Sequence, residues 1–256
     1  MIRTIFVISF ALAYIFLVGV PCLAYTLLTG GTDPIYRAGV LGARLTVRLA
    51  GVRLEVHGRQ RASIGGIVVY MANHQSNCDP PAIIGLLPPV LLLAKEKFFR
   101  VPILGRGMRL RGFIPVDRKN RERSAQAIEQ AVESLRAGHS FLVFPEGTRS
   151  ADGRLLPFKK GVFTMAIKAG AAIVPVSISG SRKIMAKGRM AIKPGVIRIT
   201  FHEPVQSAGY AIEDLLAVQA RVRQAILSGL DEEEWPACEN RPDQTDARAA
   251  ALRGMN

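Results

Sequence analysis

Apolar residues are distributed along this chain in distinct patterns. Positions 5–28 form one almost unbroken apolar run with no charge inside it. As a helix that run would reach about 36 Å, enough to cross a hydrocarbon core of about 30 Å. Past residue 55, short apolar runs alternate with stretches whose apolar positions recur every three or four residues. The runs at 67–72, 90–94, 112–116, 141–144, 173–178 and 196–201 predict strands. Ala125, Ile128, Val132 and Leu135 predict a helix ended by Gly138, and 159–169 predicts another closed by Gly170. Leu215, Val218, Val222 and Ile226 mark a third over 210–227. This alternation predicts an α/β fold, a mixed, mostly parallel sheet flanked by helices.

Three accounts of the N-terminal run compete. A cleaved signal peptide has a shorter apolar stretch and a small-residue cleavage site. Here Cys22-Leu23-Ala24 is a poor site, and apolar sequence continues beyond it. A buried core helix would be unusually long. A membrane-embedded helical segment fits best, either spanning the bilayer or, with a kink at Pro21, lying in its interface. Only Arg3 precedes the run, while Arg37, Arg44, Arg48 and Arg53 follow it. A spanning segment would therefore leave the remainder in the cytoplasm, at the inner membrane if the source is bacterial. After a break at 29–32, Asp33 and Pro34 read as N-cap and first position of a helix over 35–50. Arg37, Arg44 and Arg48 share one face of it, suited to an anionic membrane surface or to plain solvation. The expected organisation is membrane-anchoring helices over 1–54, an α/β domain over 55–229 and an acidic, disordered tail over 230–256.

Composition sharpens this picture. The apolar fraction is 49% and mean hydropathy +0.20, both high for a fully soluble protein, yet the formal charge is +14. From Leu230 onward there are seven acidic and three basic residues, so the preceding body carries +18. A basic body implies an anionic partner: acidic lipid, a phosphorylated substrate or nucleic acid. Cys22, Cys78 and Cys238 are odd in number and widely spaced, which argues against a disulfide framework or a zinc site.

Two polar loops follow predicted strands. The first, 73–79, reads Asn-His-Gln-Ser-Asn-Cys-Asp and sets His74 five positions before Asp79. A carboxylate beside an imidazole fixes its tautomer and stabilises its charged form, which makes a general base; alternatively Asp79 only caps the helix that follows. Cys78 is a rival, as a nucleophile paired with His74. The second loop, 144–150, reads Phe-Pro-Glu-Gly-Thr-Arg-Ser and offers Arg149 to an anion, with Gly147 permitting close backbone approach. Glu146 there would accept from a substrate hydroxyl or hold an arginine. Arg118 ends a third predicted strand. His57, His139 and His202 read as structural or solvated. There is no G-x-S-x-G elbow, phosphate-binding P-loop or H-E-x-x-H, and 105–110 lacks the third glycine of a dinucleotide fingerprint. Serine hydrolase, nucleotide hydrolase and zinc peptidase chemistry therefore lose weight.

Together these pieces resemble the glycerolipid acyltransferase family, most closely its members acting on lysophosphatidic acid. The family's N-H-x4-D block matches Asn73, His74 and Asp79, and its F-P-E-G-T-R-S block matches 144–150 in full. A block ending in arginine matches 112–118, although Pro115-Val116 interrupts its commoner aromatic pattern. A block centred on a proline matches Val174-Pro175-Val176, and Lys95 and 98–105 also look familial. The ordered blocks cover 73–176, about two-fifths of the chain. The resemblance implies that His74, oriented by Asp79, deprotonates the sn-2 hydroxyl of lysophosphatidic acid, which attacks a thioester donor and yields phosphatidic acid. The donor would be acyl-CoA or acyl-carrier protein, as co-substrate, with no cofactor, no metal and no acyl-enzyme. Arg118, Glu146, Gly147, Thr148 and Arg149 would bind the phosphate end, with Lys95 beside them and Pro175 shaping the site. Membrane phospholipids become the expected partner and nucleic acid does not. Another lysolipid or glycerol 3-phosphate as acceptor stays open, as does a non-catalytic anchor that binds acidic lipid or nucleic acid.

Overall fold

The computed structural model describes residues 1–236. The N-terminal run is one helix of 28 residues, Ile2–Thr29. It comprises α1 (Ile2–Tyr14), a wide turn at Ile15–Gly19 and α2 (Val20–Thr29). Pro21 has no amide hydrogen to give the Leu17 carbonyl, and the wide turn lies where that bond is missing, so the helix bulges instead of breaking. Its most apolar window has a mean hydropathy of 2.5 and is only 6% buried, so length and composition make it a candidate membrane span. Ile5, Phe6, Leu12, Phe16, Leu17 and Leu28 stand exposed along it.

The other side of this helix rests on the body. Thr4 Oγ1 accepts from the Ile192 amide (3.0 Å). The Tyr14 hydroxyl donates to the Ala38 carbonyl of α3 (Asp33–Leu49) at 2.9 Å. A Cβ on Gly42 would stand 2.6 Å from the Tyr14 ring, so the close approach of the two helices requires glycine there. Asp33 is the first residue of α3 and not its cap; Thr32 holds that position. The arginine face of α3 is only partly free, because Arg44 donates from Nε to the Gly85 carbonyl (3.1 Å) and so ties α3 to the body.

The sheet has seven strands: β1 (Val52–His57), β2 (Val68–Ala72), β3 (Val90–Lys95), β4 (Ile114–Val116), β5 (Ser140–Val143), β6 (Ala172–Ser179) and β7 (Gly195–Phe201). Their order is β1-β7-β6-β2-β5-β3-β4. Every pairing is parallel except β6 with β7, as the alternating pattern predicted. Strand β1 was not foreseen, although Val52, Leu54 and Val56 alternate with Arg53, Glu55 and His57 as a half-buried strand does. The expected boundary at 54/55 therefore cuts through a strand that pairs with β7 along its whole length.

The connections supply α4 (Asp79–Ile84), α5 (Leu104–Leu110), α6 (Arg121–Arg136), α7 (Lys160–Ala169), α8 (Ser181–Ile184) and α9 (Leu215–Ser228). Strand side chains alternate between two cores. Val69 and Met71 of β2 join Val132, Phe163 and Val222 from α6, α7 and α9. Val68, Tyr70 and Ala72 join Val47, Ile83 and Ile184 on the opposite face. The C-terminal boundary also moves. Leu230, Glu234 and Trp235, expected in the tail, are buried, and Trp235 joins the first core. The remainder of the expected tail, from 237, lies outside the described residues.

Candidate active site

Five neighbouring parallel strands, β6-β2-β5-β3-β4, end on the same edge of the sheet. Ligands in open α/β sheets bind outside such an edge. The loop after β2 carries His74 and Asp79. His74 Nδ1 lies 2.7 Å from Asp79 Oδ2. That oxygen also accepts from the amides of Gln75 (2.7 Å) and Ser76 (2.8 Å). Asp79 is fully buried and starts α4, but its side chain turns back into the loop instead of capping the helix. The imidazole therefore has one nitrogen fixed by a carboxylate. Its ring stacks on Phe144, with centroids 4.3 Å apart, and its side chain keeps 14% exposure. A tethered and reachable ring of this kind can accept a proton from a substrate at Nε2.

Asn73, to which the sequence assigned no task, anchors this loop. Its side chain donates to the Ile178 carbonyl (2.8 Å) and accepts from the Ile178 amide (2.7 Å). It thereby extends the β2–β6 ladder past Ala72 and Val176, where the backbone has already turned away. Its place at the head of the N-H-x4-D block was the available signal.

The loop after β5 closes over the first. The Ser150 amide donates to the His74 carbonyl (2.8 Å). Gly147 turns the chain with φ of 71°, a backbone shape that favours glycine. Thr148 is exposed. Arg149 has a buried Nη1 with no partner among the described residues. Lys95 ends β3, and Arg118 lies two residues past β4. Burial, followed by the nearby charges of Arg118, Lys97, Arg149 and Lys187, holds the Lys95 ammonium below its ordinary value. Among the described residues, none of Lys95, Arg118 or Arg149 has a carboxylate partner. Repulsive charges gathered without a counter-ion make a site for an anion.

Two expected contact residues have other tasks. Glu146 is 2% exposed and both its oxygens are taken. Oε1 accepts from the His74 amide (2.6 Å) and Oε2 from the Leu156 amide (3.0 Å). It clamps the histidine loop to the loop after β5, and its burial keeps both oxygens away from a substrate. Burial, above all, pushes its carboxyl up to about 8, against the pull of those two amides; Asp79 adds to the rise and Arg223 opposes it. Between about 4.5 and 8 the folded protein then holds a proton that the unfolded chain has released, so this group's contribution to stability falls as pH rises through that window. Thermal unfolding from pH 5 to 8.5 should show that loss, and Glu146→Gln should remove the slope. Pro175 is also buried, opposite Met71 in the β2–β6 ladder and below the site. It lies just outside the β6–β7 pairing, which ends at Val176 with Phe201, so its missing amide costs no bond there.

Cys78 does not act as a nucleophile in this arrangement. Its thiol packs against the second core, and burial is the main cause that pushes its pKa up. A thiol kept protonated is a poor attacking group. Cys78→Ser should therefore retain turnover, which steady-state rates would check. Of the other histidines, His57 and His139 are exposed. His202 bonds Ser177 Oγ (2.7 Å) and is pushed down to about 4, mainly by burial.

An apolar cavity of about 470 Å³ lies between the N-terminal helix, α3, α4 and α5. Pro80 and Pro81, directly after Asp79, form part of its wall, with Tyr14, Ile35, Ile103 and Met108. Nothing in the sequence distinguished these residues from ordinary core.

The family model described as Acyltransferase matches residues 53–179, which run from β1 to the end of β6. A 1-acyl-sn-glycerol-3-phosphate acyltransferase of Salmonella typhimurium is 30% identical over 190 residues, covering 72% of this chain and 77% of that protein. The chain belongs to the acyltransferase family. Within that family, the chloroplastic 1-acyl-sn-glycerol-3-phosphate acyltransferase BAT2 of Brassica napus is 37% identical over 154 residues, 60% of this chain. This chain spans only 44% of that relative's length. The crystal structure of the 1-acyl-sn-glycerophosphate (LPA) acyltransferase PlsC from Thermotoga maritima superposes with a TM-score of 0.74 at 28% identity. The match covers 89% of this chain and 95% of that one. The acyltransferase match begins at residue 53, which agrees with β1 belonging to the same domain as the site.

Proposed function

We propose that this protein transfers a fatty acyl group from a thioester to the sn-2 hydroxyl of lysophosphatidic acid, giving phosphatidic acid. The observation that carries the proposal is the 2.7 Å His74–Asp79 pair in a site whose cations have no carboxylate partner among the described residues. The acceptor's phosphate binds Arg149, Lys95 and Arg118, and its hydroxyl meets His74 Nε2. As the hydroxyl oxygen attacks the thioester carbonyl, its proton passes to the imidazole. Asp79 stabilises the imidazolium that results. The tetrahedral centre then collapses, the C–S bond breaks, and the thiolate leaves with the proton that His74 held. No group on the protein carries the acyl chain. The cavity beside Pro80 and Pro81 has the apolar lining that such a chain requires.

Both substrate and product are membrane lipids, which accords with the exposed apolar side of the N-terminal helix. That helix also touches the body at Thr4 and Tyr14. These contacts favour a segment that lies against the catalytic domain, embedded along its outer side. The excess of arginine after the helix supports a catalytic domain on the cytoplasmic face. The donor, acyl-CoA or acyl-carrier protein, is a thioester in either case, and the same transfer serves both.

The test is an assay of purified full-length protein with lysophosphatidic acid, other lysolipids and glycerol 3-phosphate, each with both donors, followed by mass analysis of the product. Phosphatidic acid formed from lysophosphatidic acid is the expected result. Faster acylation of an acceptor lacking the phosphate monoester would overturn the assignment.

A further inference from the structure

One cation at the site belongs to none of the motif blocks. Lys187 follows α8 in the segment that leads to β7. Its ammonium donates to the Arg149 carbonyl (2.8 Å). Two residues earlier, the Met185 carbonyl accepts from Ser76 Oγ (2.8 Å), within the loop that carries His74. Residues 185–187 therefore touch both halves of the site at once. Strand order gives this segment a distinct position. It leaves β6, which flanks β2 on the side opposite β5, β3 and β4. Lys187 thus reaches the anion loop from the flank where no motif places a cation.

Its chemistry fits a ligand better than a solvated lysine. An ammonium has three donors, and the Arg149 carbonyl takes one of them. Among the described residues no carboxylate pairs with Lys187. It shares the field of Lys95, whose ammonium it helps to hold down after burial and the other cations. Lys187 is exposed, and its bond to the Arg149 carbonyl is what holds its ammonium at the anion loop. We propose that Lys187 binds the phosphate of the acceptor from the flank opposite Lys95 and Arg118, and so helps set acceptor specificity. The proposal rests on lysophosphatidic acid being the acceptor. A thioester donor also carries phosphate on its pantetheine arm, but the bond to the Arg149 carbonyl puts Lys187 at the acceptor's anion loop.

Steady-state kinetics of the full-length protein, varying each substrate in turn, separate these cases. Lys187→Ala should raise the acceptor KM about tenfold, equivalent to ~1.4 kcal/mol. The donor KM should stay where it was, kcat should fall much less than KM rises, and Lys187→Arg should restore most of the loss. An unchanged acceptor KM overturns the proposal, as does a rise confined to the donor KM. If the unmodified protein does not acylate lysophosphatidic acid with either donor, the acceptor assignment fails and this inference fails with it. If that protein is active and Lys187→Ala is indifferent, this inference alone is wrong.

Discussion

Replacing His74 with alanine is expected to lower kcat by about 10²–10⁴-fold, the range over which positioned general bases contribute. Nothing else in the site can take over. Asp79 and Glu146 are both buried, out of reach of a substrate hydroxyl. The substitution should leave the fold intact, because among the described residues the ring stacks on Phe144 and bonds Asp79 alone. Binding of lysophosphatidic acid and attachment to vesicles should therefore persist while turnover disappears. A non-catalytic anchor would behave differently: it has no turnover to lose, and its binding would depend on charge alone, weakening steeply with salt.

The second large effect is expected from Asp79→Asn. Asp79 Oδ2 receives three donors: the His74 ring and the amides of Gln75 and Ser76. An asparagine oxygen can accept the same bonds, so the loop keeps its shape. What disappears is the negative charge that stabilises the imidazolium. The new NH₂ group then occupies the place of Oδ1, which is buried and has no hydrogen-bond partner among the described residues. A buried donor left without a partner costs about 1–3 kcal/mol of stability. A kcat loss of about 10²-fold or more is expected, with the acceptor KM little changed, because the phosphate site is untouched. Rates and thermal unfolding measured on the same preparation separate the two contributions. A rise in KM at constant kcat would place Asp79 in binding and not in proton transfer.

Much of this site was legible because its parts are short loops at strand ends. An apolar run followed by a polar turn marks such a loop directly, and the chain order of the motif blocks reflects the fold. His74, Asp79, Lys95, Arg118 and Arg149 all come from ends of neighbouring strands. The remainder depended on which atoms face each other across the fold. Glu146 looked like a ligand residue because it lies in an anion-binding motif. Its partners, the amides of His74 and Leu156, are backbone groups that carry no sequence signal. Asn73 bonds Ile178, more than a hundred residues away, again through backbone. Lys187 stands in an irregular segment without periodicity or motif. Strand β1 was readable from its alternation, but it follows α3 after only two residues and has no turn cluster to separate it from the helix. The cavity is assembled from residues of four separate helical segments, each ordinary by itself.

Transfer depends on one imidazole acting on a hydroxyl whose neighbouring phosphate is held by cations. The most direct measurement compares kcat/KM for lysophosphatidic acid with that for the matching 1-acylglycerol, which keeps the hydroxyl and lacks the phosphate. Two charge-assisted hydrogen bonds, each worth ~1.5–3 kcal/mol, should favour the phosphate-bearing acceptor by about 10²-fold or more. Equal efficiency for the two acceptors would mean that the cations at the sheet edge do not grip the acceptor, and would contradict the account.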